Sequence, residues 1–147
     1  MNNSSNAINN PLSFETPDCI RCLRKKLNAL GVAAFYMKDG EWMLSDFESD
    51  IPREDAEFQG TYLLKIGLPQ IIANAENGLL LTGTESIQNS IPGINSLMNG
   101  TSIIGARTVF AGLGGVRFAW REDSQPFSSD ELKILECFGE CPPGCGV

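Results

Sequence analysis

Apolar residues at Ile20, Leu23, Leu27 and Leu30 recur at helical spacing, which marks the buried face of a first helix. Thr16 suits the N-cap, Pro17 the first helical position, and Gly31 the stop. The period then changes. Val32 to Met37 is a continuous apolar run, the pattern of a buried strand. Asp39-Gly40 reads as a hairpin turn, with Glu41 to Asp46 as the returning strand. From Phe47 to Gly60 the chain sets Glu48, Asp50, Glu54, Asp55 and Glu57 against Arg53. That charge density predicts an exposed connection with one helical turn from Arg53. Tyr62 to Ala75 is helical in pattern, and Pro69 predicts a break at Gly67–Leu68 with a short helix after it. Leu79 to Thr82 is a short strand. Gly83 to Gly100 is polar and glycine-marked, and its apolar spacing allows a short helix from about Ile94.

The stretch from Thr101 to Glu140 frames the rest. Two runs rich in β-branched and aromatic residues flank Gly112, Gly114 and Gly115, the signal of a hairpin with a longer loop. In the second run Val116, Phe118 and Trp120 alternate with Arg117, Ala119 and Arg121. A period of two puts the bulky apolar set on one face and both arginines on the other. Pro126 ends the strand. Ser128 and Glu131 form a capping box, with Phe127 and Leu132 placed as a hydrophobic staple. A helix follows from about Ser129 to Glu140, turning Leu132, Leu135 and either Phe138 or Ile134 inward. The order is helix, two strands, an irregular helical region, three strands, helix. Antiparallel strands with terminal helices on one face give an α+β sandwich.

Composition narrows the functional classes. At 147 residues and 42% hydrophobic content the chain reads as one domain. Residues 14–147 form that domain, and the Asn- and Ser-rich segment 1–13 reads as disordered. No apolar stretch is long enough to span a membrane, and the start has no signal-peptide form. A cytoplasmic location is expected. The net charge of −7 argues against nucleic acid as a partner, and Arg21, Arg24, Lys25 and Lys26 read as a solvated helix face. The chain has no histidine. That removes His-based acid–base chemistry, Ser-His-Asp and Cys-His triads, and His-ligated haem or zinc. A non-catalytic role is expected.

The run from Gly115 to Glu136, with its apolar strand, polar turn, Pro126-Phe127, capped acidic start and leucine-rich helix, resembles the last strand and closing helix of a GAF domain. Gly67 to Gly78 is similar to that family's short central helix, and Ser102-Ile103-Ile104 to the opening of its penultimate strand. The resemblance spans roughly Phe14 to Glu140. It implies a GAF-like central antiparallel sheet, with the N- and C-terminal helices packed antiparallel on one face. It also implies that the Gly83–Gly100 region caps a ligand pocket on one face of the sheet, and that the terminal helices form a homodimer interface. Bilin attachment through a Cys-His pair is not supported, since histidine is absent. Reduction of free methionine sulfoxide is not supported either, because no cysteine lies between Cys22 and Cys137.

The sharpest chemical signal is the set of five cysteines: Cys19-x-x-Cys22 near the start and Cys137, Cys141 and Cys145 near the end. Cys19 and Cys22 share a helical face, as do Cys137 and Cys141. In the arrangement the resemblance implies, these four thiols meet, and Cys145 folds back after Pro142-Pro143-Gly144. Thiolates at that density suit an iron–sulfur cluster or tetrahedral zinc, although the spacing matches no standard signature. A reversible disulfide switch and inert cysteines are the alternatives.

On the pocket side, Arg107, Arg117 and Arg121 stand at like parity in their strands. If that face looks into a pocket, they would bind an anion such as a phosphate or carboxylate. The alternative is a solvent-facing edge with ion pairs to nearby acids. Trp42, Phe118 and Trp120 read as core. The leading expectation is a sensory or regulatory signal-transduction domain, sensing redox state or metal occupancy at the cysteines and signalling through an unidentified protein partner. The alternatives are a small-molecule binder with structural cysteines, or an assembly adaptor.

Overall fold

The computed structural model describes residues 17–49, 53–94, 101–110, 113–122 and 124–137; side chains at 17–19, 53, 54, 56, 57, 84, 109, 110, 113 and 137 lie outside that description. The first described helix, α1 (Pro17–Leu27), buries Ile20, Leu23 and Leu27 completely. It stops at Asn28 rather than at Gly31. Asn28 takes a left-handed conformation (φ 52°), Ala29 N donates to the Arg24 carbonyl and Asn28 N to the Lys25 carbonyl. This is a Schellman ending with asparagine in the place usually held by glycine. Leu30, expected in the core, falls beyond the helix and is 40% exposed.

Gly31 has a different task. It opens β1 (Gly31–Lys38) directly beneath the indole of Trp120, where an added Cβ would stand 2.2 Å from the ring. Asp39 (φ 52°) and Gly40 (φ 84°) make the expected two-residue hairpin turn into β2 (Glu41–Ser49). The β1–β2 register slips between Ala34 and Phe35, leaving Ser45 as the extra residue of a bulge.

From Arg53 the acidic connection is helical well beyond the one turn expected; Phe47–Ser49 belong to β2, and residues 50–52 lie outside the described residues. Helix α2 spans Arg53–Lys65, with Leu63 buried and Gly60 fitted against Leu44. Gly67 (φ 82°) then breaks the chain and caps α3 (Leu68–Asn74), as Pro69 predicts. After β3 (Leu79–Thr82) comes α4 (Thr84–Ser90), a helix ten residues ahead of the one expected near Ile94. Ile87 and Ile91 anchor it in the core. Residues 95–100 lie outside the described residues. The chain ends its described part with β4 (Thr101–Phe110), β5 (Leu113–Glu122) and α5 (Ser129–Cys137).

The strands form one antiparallel sheet in the order β2-β1-β5-β4-β3. Its two faces carry separate cores. One joins Ala33, Phe35, Ile103, Val116, Phe118 and Trp120 to α2, α3 and α4. The other joins Val32, Ala34, Ile104, Ala106 and Ala119 to α1 and α5. The α+β sandwich with both terminal helices on one face is therefore as expected. On the first face Ile72 of α3 lies so close to β4 that a Cβ at Gly105 would come within 2.9 Å of it. None of the described helices is long and apolar enough to cross a membrane.

The two glycine environments predict opposite outcomes. Gly31→Ala drives a methyl into the Trp120 ring and destabilises by about 1–3 kcal/mol, the usual cost of overpacking. Gly114→Ala meets nothing within 4 Å and stays within about 0.5 kcal/mol of wild type. Urea unfolding of the two variants checks the contrast.

Candidate functional site

The β5 alternation creates the most distinctive chemistry in the molecule. Arg117 pairs with Ala34 and Ala106, and Arg121 with Ser102, so both arginines turn toward the α1/α5 layer. A charge there needs partners, because burying it unpaired costs far more than one hydrogen bond returns. Arg117 is 0% exposed, and its Nη1 donates to the Leu135 carbonyl at 2.7 Å. That carbonyl lies in the last described turn of α5, the electronegative end of the helix dipole.

Arg121 holds the opposite end. Its Nη1 donates to the Leu27 carbonyl, the last residue of α1, at 2.5 Å. Nη1 and Nη2 reach both oxygens of Glu131 at 2.8 and 2.9 Å, a bidentate pair. Nε and Nη2 donate to the Gln125 and Pro126 carbonyls, and the guanidinium lies 4.1 Å over the Phe127 ring. Glu131 also completes the expected capping box: Ser128 N donates to its Oε1 at 3.0 Å, and its own N–H donates to Ser128 Oγ at 3.3 Å. Burial works to raise the Glu131 carboxyl. The hydrogen bonds from Arg121 and Ser128 and the Arg121 charge outweigh it, holding the group below its ordinary value of 4.5.

Ser102 finishes the junction. Its Oγ accepts from Phe127 N at 3.0 Å, donates to the Leu81 carbonyl at 3.3 Å, and lies 3.0 Å from Thr82 Oγ1. One hydroxyl thus ties β3, β4 and the start of α5 together.

The expected arginine trio does not assemble. In the β4–β5 hairpin each register pair joins an odd-numbered residue to an even-numbered one, so Arg107 opposes Val116. It stands on the face opposite to Arg117 and Arg121. Arg107 is exposed and donates from Nη2 to the Glu76 carbonyl at 3.1 Å. On that same face Trp42 is half-buried and donates to Gln70 Oε1, while Tyr62 ties the Gly93 carbonyl to α2.

The cysteines divide differently. Cys19 and Cys22 belong to α1 and Cys137 to the end of α5. The Cys22 side chain is half-buried; those of Cys19 and Cys137, and the whole of Cys141 and Cys145, lie outside the described residues. Among the described residues no three His, Cys, Asp or Glu side chains converge as a metal site. The α1 and α5 helices do meet in one orientation: Arg121 joins the end of α1 to the start of α5, and Asn28 Nδ2 reaches Gln125 Oε1.

The capping box flagged Glu131 in the sequence, and strand alternation flagged the two arginines. Neither signal showed that they belong to one junction, which exists only once β5 and α5 are stacked. Ser102 stood out only as a strand-opening residue.

The depressed Glu131 carboxyl fixes the sign of a pH effect. Its contribution is fully present above the ordinary value of 4.5 and is lost as pH falls through the lower folded value. Glu131→Gln should cost about 1 kcal/mol at neutral pH. The gap from wild type should close in acid, as measured by urea unfolding between neutral pH and pH 3.

No protein-family profile matches the sequence, and no curated protein does. Among solved structures the chain is similar to the GAF domain/HD domain protein from Geobacter sulfurreducens, at 20% identity over 83% of this chain and 82% of that one, with a TM-score of 0.64. With its terminal helices on one side of a five-stranded antiparallel sheet, the chain has a GAF-like fold.

Proposed function

We propose that this chain is a non-catalytic sensory or regulatory domain whose input is the redox state or metal occupancy of Cys19, Cys22, Cys137, Cys141 and Cys145. Its output is the packing of α1 and α5, passed to a second copy or to a regulatory protein. The supporting observation is the orientation of those two helices. The end of α1 sits beside the start of α5 on Arg121, and helices packed back from that junction would bring the start of α1 toward the end of α5. Cys19 and Cys22 stand in the first part of α1, and Cys137 closes the described part of α5. A thiolate-rich site at that side of the sheet suits an iron–sulfur cluster or a tetrahedral zinc ion. Binding there would bias the helix layer directly, which is how a local event becomes a regulatory signal.

A second reading, an assembly adaptor without a central ligand, draws on the buried apolar residues of the opposite face. Leu63, Leu68, Ile72, Ile87 and Ile91 are all at most 1% exposed, and Ile72 lies against Gly105.

Two measurements separate these readings. Purified without oxygen, the protein should carry iron with sulfide and absorb between 300 and 500 nm, or carry zinc without colour. A metal-free, colourless product whose five thiols all react as free removes the cysteine input. Thermal shifts against nucleotides and amino acids, repeated on Cys→Ser variants, test the other face. A ligand-dependent rise that persists without the thiols favours the small-molecule binder.

A further inference from the structure

We propose that Trp120 and Arg121, consecutive residues of β5, are the element that couples the α2–α4 face of the sheet to both terminal helices; this rests on the reading that output leaves through α1 and α5. Neighbouring residues of a strand face opposite sides and share one peptide plane, so a tilt of that plane reaches both. Here each is tied to its own layer. Trp120 is 5% exposed, its ring touches those of Phe47 and Phe118 at centroid distances of 5.4 and 5.6 Å, and it roofs Gly31. Its carbonyl accepts the Leu30 N–H at 2.8 Å, which fixes the link from α1 into the sheet.

Arg121 carries the connection across. Its guanidinium holds the end of α1 through the Leu27 carbonyl and the start of α5 through Glu131. Moving β5 at this point therefore moves both helix ends together. The register partners reinforce the step. Ile103 opposite Trp120 belongs to the α2–α4 core, and Ser102 opposite Arg121 holds Phe127 N. Arg121 is thus a positioning residue, acting through the helices it holds.

The test is a double-mutant cycle read by hydrogen exchange on the full chain. Phe47→Leu loosens the aromatic contact on Trp120 from the α2–α4 side. It should speed amide exchange at residues 28–30, after α1, and at 127–132, at the start of α5. Arg121→Met should remove that response. The two effects should then depart from a simple product by about fivefold or more, the size expected for coupled neighbours. If Arg121→Met does not fold, Glu131→Gln takes its place in the cycle, since it weakens the same link without changing shape. Effects that multiply independently at both helix ends overturn the proposal, as does a Phe47→Leu response confined to the α2–α4 face. The cycle needs no bound cofactor. Absence of metal leaves it intact, and its failure leaves the cysteine chemistry standing.

Discussion

Two guanidinium groups placed on one face of a central strand constrain this molecule more than any other feature. The alternation of β5 leaves no choice about where Arg117 and Arg121 point once Val116, Phe118 and Trp120 have gone into the other core. A buried cation is tolerated only where polar groups are waiting for it. Helix α5 supplies them, with a backbone carbonyl at one end and a carboxylate at the other. The requirement thus sets where α5 lies and which way it runs. Arg121 extends the same demand to α1, so that both helices take their positions from the strand beneath them.

Local signals were legible wherever a residue's own backbone preference decides the outcome. The Asp39-Gly40 turn, the Gly67 break ahead of Pro69 and the Ser128–Glu131 box stand as read. Signals failed where tertiary packing outranks composition. Helix α2 carries so many acids that it reads as solvated loop, yet Leu63 and Gly60 seat one side of it on the sheet. In the sequence Gly31 reads as a helix stop, since glycine commonly ends helices. Asn28 performs that task because its short polar side chain tolerates positive φ, and Gly31 is there to clear a ring.

The candidate site was only half visible for a related reason. Strand periodicity correctly put Arg117 and Arg121 together, but it could not say which layer they would meet. Adding Arg107 to the group failed on hairpin parity, which depends on the turn that joins the strands. For the cysteines, the sequence shows their spacing and the fold shows which helices carry Cys19, Cys22 and Cys137, with the end of one joined to the start of the other at Arg121.

The sheet's rims have a consequence for how such a domain meets other proteins. One rim is β3, four residues long; the other is β2, kinked at Ser45 and bearing Glu41, Asp46 and Glu48. Short, bent and acidic borders are poor templates for a neighbouring chain to zip onto by main-chain pairing. Growth into ribbons or fibrils is discouraged from both sides. A neighbour at these rims would meet side chains, which discriminate among callers in a way that bare backbone cannot.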